Sequence, residues 1–322
     1  MDPLLIASAL VPTALLIALG AVLRHRGGFG DGFWRGAEAL TYTYLLPALF
    51  VVTLARADFS AVRVGAMALV LAGTTVVGAL LATALRRVAT ADGRAFTSVF
   101  QGSIRFNNYV GLVIASALYG AQGVALAALT NAILVPIVNI WSTFVLARHG
   151  EAELRGAAVA KAIATNPLVV SCVVGVVLNL AGTVLAGPLA RPTVAAVVGV
   201  AATSLSVLGQ AALPIGLLCV GAGLQRPEGG SQTRPIAVAT VLRLAVMPAF
   251  ALAAIHLFGL TGPAAMVALV FLALPTASSA YVLARRLGGD APLMASITAV
   301  ETVTALATLP AWMLLGRALG VG

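Results

Sequence analysis

From Phe106 to Ala147 the chain runs for 42 residues without a charged side chain. A water-soluble domain could bury such a stretch only beneath a large polar surface. Here 61% of the 322 residues are hydrophobic and 9% are charged, against about a quarter charged in soluble domains. The main solvent must therefore be a lipid bilayer. In hydrocarbon every backbone N–H and C=O needs an internal partner, so only helices or closed barrels can span it. The apolar runs are too long and too rich in Leu, Ala and Val for alternating barrel strands of about ten residues. An all-α transmembrane fold is predicted.

Apolar runs between charged or turn-forming connections predict ten helices, near 3–23, 35–55, 64–85, 95–118, 123–147, 164–184, 199–224, 236–258, 263–284 and 291–316. The uncharged run from Phe106 is divided at Tyr119-Gly120-Ala121-Gln122-Gly123. Met1 to Leu23 reads as a first span and not as a cleaved leader, because Arg24, His25 and Arg26 follow the apolar run and do not precede it. Of the 19 Lys and Arg residues, thirteen fall in connections placed inside, and only Arg56, Arg63, Arg191 and Arg317 fall outside. That bias puts both termini on the non-cytoplasmic side of the cell (inner) membrane. It also accounts for the net charge of +9 without nucleic acid, since no basic face is interleaved with aromatics. Cys172 and Cys219 lie in apolar stretches with no partner spacing, so neither a disulfide, a metal site nor any cofactor is called for.

The two remaining arginines, Arg105 and Arg243, lie within spans. The most polar connection, 148–165, halves the chain into 1–147 and 166–322, with five helices each. Halves of five spans must face opposite ways, which is the inverted-repeat plan of many secondary transporters. Leu46-Pro47 matches Leu213-Pro214 at an offset of 167, and Gly120 matches Gly288 at 168.

At that offset Arg105-Phe106-Asn107-Asn108-Tyr109 in the fourth helix falls opposite Leu274-Pro275-Thr276-Ala277-Ser278-Ser279 in the ninth. Pro275 must interrupt its helix, and Asn107 and Asn108 favour non-helical backbone. Each alone is an ordinary packing feature, but paired breaks at matching places point to a transporter's binding site. Half-helix N-termini there would present bare N–H groups to an anion. Arg105, deep in its span, costs roughly 2.5–3.5 kcal/mol to insert, so an acidic partner or an anionic ligand must offset it. Substrate-binding candidates are Arg105, Asn107, Asn108, Pro275, Thr276, Ser278 and Ser279. Glu301, the one deeply placed carboxylate, is a candidate for proton or sodium coupling or for pairing with Arg105, with Asn131 and Arg243 beside it. Arg243, a turn or two into the eighth helix, is placed to snorkel to the cytoplasmic surface. Arg35 and Glu38, spaced i,i+3, are expected to form a local ion pair.

These motifs resemble the auxin efflux carrier family of permeases, which includes plant auxin carriers and bacterial malate and malonate permeases. The likeness runs through Leu45-Leu46-Pro47-Ala48-Leu49, Arg105-Phe106-Asn107-Asn108-Tyr109-Val110-Gly111, Thr165-Asn166-Pro167-Leu168 with Gly175 and Asn179, Leu213-Pro214-Ile215-Gly216-Leu217, and Leu274-Pro275-Thr276-Ala277 with Gly288-Gly289-Asp290. The resemblance implies a scaffold of helices one, two, six and seven. It also implies a transport domain of three to five and eight to ten that moves like an elevator, a crossing of broken helices at Asn107, Asn108, Pro275 and Thr276, and a homodimer. The chain departs from the plant carriers in having Phe106, not proline, before Asn107, and in lacking their long cytoplasmic loop.

The function expected is a permease for a small organic anion, a mono- or dicarboxylate, rather than an enzyme. One rival is a sodium-coupled symporter of the bile-acid type, with Thr130, Asn131, Ser278, Ser279 and Glu301 as oxygen ligands. A channel is another, but no filter-like repeat supports it. A remote third is an intramembrane aspartyl protease, from the string Gly28-Phe29-Gly30-Asp31, which is read more simply as a flexible turn.

Overall fold

The computed structural model describes residues 3–60, 62–150, 161, 164–184, 192–224, 232–277 and 279–321. Among these, every regular element is a helix. In the first half α1 covers Pro3–Arg26, and α2 (Asp31–Leu40) and α3 (Leu46–Ala55) form one rod through a π-turn at Thr41–Leu45. Next come α4 (Val64–Ala84), the short α5 (Arg86–Ala89), α6 (Gly93–Ile104) and α7 (Asn108–His149). The second half holds α8 (Pro167–Val184), α9 (Pro192–Gln210) and α10 (Ala212–Ala222). It continues with α11 (Thr233–Val241), a π-turn at Leu242–Val246 and α12 (Met247–Leu257). The last elements are α13 (Gly262–Ala273), α14 (Ser279–Arg286) and α15 (Ala291–Ala318).

Six helical stretches among the described residues are long and apolar enough to cross a membrane: Asp31–Ala55, Val64–Ala84, Gly93–His149, Ala195–Ala222, Thr233–Leu257 and Ala291–Ala318. Pro167–Gly182 and Gly262–Ala273 are shorter apolar helices. A straight α7 would reach about 63 Å at 1.5 Å per residue, roughly twice the hydrocarbon thickness. It turns instead at Gly120, whose φ of 56° and ψ of −135° suit glycine alone. Most of the 148–165 connection lies outside the described residues.

Both π-turns have the same local cause. Proline lacks an N–H and its ring crowds the carbonyl four residues earlier, and a wider turn relieves that crowding. Pro47 follows the first turn and Pro248 the second. In each, the residue just before proline bonds five residues back, Leu46 N–H to Thr41 O and Met247 N–H to Leu242 O. The carbonyl that Pro248 leaves without its helical donor, Leu244 O, accepts from Trp312 Nε1 at 2.7 Å. A buried carbonyl thus keeps a partner.

Packing without a water-driven hydrophobic effect needs close backbone approach, which small residues allow. α1 lies along α10, where a Cβ on Gly20 would come within 2.8 Å of the Leu218 backbone. α8 lies along α3, with Gly175 against Phe50 O, Val51 O and Leu54. A second body of contacts joins α4, α6, α7, α12, α13 and α15. Apolar side chains also point outward, among them Val173, Val177 and Leu180 on α8 and Val197, Val200 and Val207 on α9. Such a surface suits lipid rather than water.

Candidate functional site

Two helices are interrupted in their middles, and each interruption has a legible local origin. α6 stops at Ile104, and Arg105 takes an extended backbone (φ −75°, ψ 159°). α7 then starts behind Asn107, whose side-chain Oδ1 accepts from Val110 N–H at 3.4 Å as an N-cap. α13 stops at Ala273, and Leu274 is extended (φ −67°, ψ 150°), as a residue before proline must tend to be. The extended segments touch. Asn107 N–H donates to Pro275 O at 2.8 Å, which joins the breaks through backbone alone.

The ends freed by the second break are held by two fully buried charged side chains. Arg243 Nε donates to Leu274 O at 2.6 Å and its Nη2 to Phe271 O at 2.8 Å. A cation on the terminal carbonyls of α13 complements the negative end of that helix's dipole. Beyond the proline, Thr276 N–H donates to Glu301 Oε2 at 2.8 Å. This corrects two expectations. Arg243 does not snorkel but is 1% exposed, because the π-turn carries it inward against the break. Glu301 does not pair with Arg105; it grips the break's backbone, with Arg243 as its electrostatic neighbour. Its Oε1 is buried without a hydrogen-bond partner, as are Thr276 Oγ1 and both amide atoms of Gln101.

Arg105 leans the other way. Its Nη1 donates to Asn139 Oδ1 at 3.0 Å and its Nη2 to Ser279 Oγ at 3.4 Å, while its Nε is buried without a partner. Both partners are neutral, and Arg105 has no ion pair among the described residues. A small cavity of about 20 Å³ lies between the breaks and α10, room for about one water. Asn107, Asn108, Ala277 and Ser279 line it, together with Glu38, Tyr42, Tyr109 and Cys219. The Tyr109 hydroxyl is buried and unpartnered. Tyr42, in the first π-turn, exchanges hydrogen bonds with Asn166 at 3.0 and 3.4 Å. On the far side of the break, Pro275 and Val110 border an apolar cleft of about 410 Å³ between α1 and α15.

Of the residues singled out in sequence, Arg105, Asn107, Asn108, Pro275, Thr276 and Ser279 are brought to the joined breaks, with Arg243 and Glu301 behind them. Ser278 lies outside the described residues. Asn131 is not drawn in by any bond among the described residues: its Nδ2 bonds Ala127 O of its own helix, and its Oδ1 has no partner. Glu38 does not pair with Arg35 and instead faces the small cavity. Sequence reasoning missed Glu38, Tyr42 and Asn139. Only Tyr42 had a local signal, the Pro47 that imposes its π-turn. Asp31 of the Gly-Phe-Gly-Asp string pairs with Arg24 and is largely exposed at the start of α2, which suits an end-of-helix ion pair and not an embedded catalytic acid.

Compared with known proteins, residues 5–313 match the model of a family described as membrane transport protein. A search of the curated proteins gave no match.

Proposed function

The chain belongs to this membrane transport protein family, the auxin efflux carrier family, and from that premise we propose that it is a secondary transporter for a small organic anion. Members of the family are membrane transporters and not enzymes. The anion is a mono- or dicarboxylate, and it binds where the two breaks meet. One observation carries the reading: Arg105 stands at the joined breaks with its Nε unbonded and only neutral partners, Asn139 and Ser279, on its other nitrogens. A guanidinium so placed is costly until an anion arrives. The α7 N-terminus at the same break adds a helix end of the kind that favours a carboxylate.

The wider plan we propose is ten spans in two inverted halves of five, crossing at the breaks, with both termini outside the cytoplasm. The described helices fall into ten stretches once α7 is divided at Gly120, which supports that count. α1, α3, α8, α9 and α10 pack mainly with one another, and α4, α6, α7, α12, α13 and α15 form the second set. That partition supports a scaffold beside a moving transport domain; a homodimer through the scaffold is part of the proposal by family resemblance alone. The closeness of the 20 Å³ cavity fits an occluded stage of alternating access.

The sodium-coupled alternative finds less support, because Thr130 and Asn131 bond their own helix and do not turn toward Glu301. Counterflow in proteoliposomes tests the proposal. Internal unlabelled carboxylate should drive transient, saturable accumulation of labelled carboxylate. Non-saturable equilibration would mean a channel and would sink it.

A further inference from the structure

The small cavity between the breaks carries a carboxylate that the transport reading has not used. Glu38 reaches it from α2, on the opposite set of helices from Arg105. Its sequence neighbour Arg35 does not neutralise it, and among the described residues no side chain forms an ion pair with it. Tyr109 and Cys219 line the same cavity. Arg105, through Ser279, stands behind another part of that wall. One carboxylate on the wall and one guanidinium behind it thus stand without an ionic partner among the described residues, at a space large enough for little more than a water.

We infer that Glu38 is a charge filter: the site takes a monocarboxylate whose far end bears a hydrogen-bond donor, a hydroxyl or an ammonium, and rejects dicarboxylates. This rests on the reading of Arg105 as the anion's partner. With the first carboxylate on Arg105, a second one would be pressed toward Glu38 in a region of low dielectric, where like charges repel strongly. Among the described residues no arginine or lysine lines the cavity itself to offset it, and Arg105 reaches only its Ser279 side. A donor in the same place instead makes a charge-assisted hydrogen bond with Glu38. A site built around such a bond discriminates well against ligands that cannot make it.

Thermal stabilisation of the purified full-length protein tests this with acids paired by carbon number: 3-hydroxypropionate with malonate, 4-hydroxybutyrate with succinate, and 4-(hydroxymethyl)benzoate with terephthalate. In the wild type, the hydroxy acid of each pair that binds should act at a roughly tenfold lower concentration than its dicarboxylate, about one order in affinity. Glu38→Gln, nearly isosteric, should shrink that ratio severalfold or reverse it, while Glu38→Asp, which keeps the charge, should preserve it. The unliganded melting temperature of each variant checks that it is folded. A dicarboxylate that binds the wild type as well as its hydroxy partner, or a ratio unchanged by Glu38→Gln, overturns the filter. If no acid stabilises the wild type, or if Arg105→Ala binds as the wild type does, the anion site itself falls and the filter falls with it.

Discussion

Arg243 and Glu301 hold the same helix break from its two sides: Arg243 takes the carbonyls of Phe271 and Leu274, and Glu301 takes the N–H of Thr276. Neither forms a direct ion pair with the other among the described residues. Their opposite charges meet through the backbone between them. A proline break leaves donors and acceptors that lipid cannot satisfy, and these two residues supply what the lost helical bonds would have supplied.

Removing both holders should therefore cost less than the sum of removing each alone. Glu301→Ala takes the acceptor from the buried Thr276 N–H and the neighbouring carboxylate from Arg243, and is expected to cost about 1.5–3 kcal/mol. Glu301→Gln keeps an acceptor for Thr276 N–H and should cost less, about 1–2 kcal/mol. The double variant Arg243→Met with Glu301→Gln should cost less than the sum of the singles. Denaturation midpoints of the purified protein measure this; strict additivity would mean that the two do not act on one element.

The second π-turn makes a narrower prediction. Trp312→Phe removes the donor to Leu244 O and should destabilise by about 1 kcal/mol. In a Pro248→Ala background the restored backbone N–H can serve that carbonyl, so the same change should cost close to nothing. A full penalty in both backgrounds would show that the indole bond does not replace the one proline removed.

At the break itself, Gly111 faces the ring of Phe271 and the side chain of Leu274. An added Cβ would sit 2.7 Å from an atom of each. Gly111→Ala is expected to cost about 1–3 kcal/mol by overpacking and to slow uptake by prising the breaks apart. Wild-type stability would mean that the two helices can shift without penalty there.

Asn179 offers a control far from the substrate. Its Nδ2 lies 2.9–3.2 Å from the carbonyls of Leu54, Ala55 and Ala57, at the end of α3. Asn179→Ala should lower stability by about 0.6–1.7 kcal/mol, the range for hydrogen bonds between membrane helices, and leave the substrate affinity of the folded protein unchanged. Ligand titration beside a melting curve separates the two effects.

Much of this was legible in sequence, because its causes are local. Pro275 and the Asn107-Asn108 pair dictate their own backbone, and the interruptions stand where those residues are. Gly120 likewise marks its own turn. What stayed hidden was set by contacts distant in sequence. Arg243 looked like a residue near a helix end, but the turn imposed by Pro248 aims it at carbonyls about thirty residues away. Glu301 looked like a mate for Arg105, because both were deep and opposite in charge. The structure instead gives Arg105 to Asn139 and Ser279, and Glu301 to a backbone N–H. Glu38 read as half of an i,i+3 pair because spacing shows neighbours on one helix and nothing of the cavity that helix borders.

The central claim is that Arg105 at the joined breaks meets the substrate's carboxylate. Initial uptake of a labelled carboxylate by proteoliposomes, compared between wild type and Arg105→Ala at equal reconstitution, tests it most directly. The account predicts a loss of at least about tenfold for Arg105→Ala, as expected when a charged hydrogen-bond partner is removed, with Arg105→Lys intermediate because a point charge replaces a planar fork. Uptake by Arg105→Ala at the wild-type rate and with the wild-type half-saturation would contradict it.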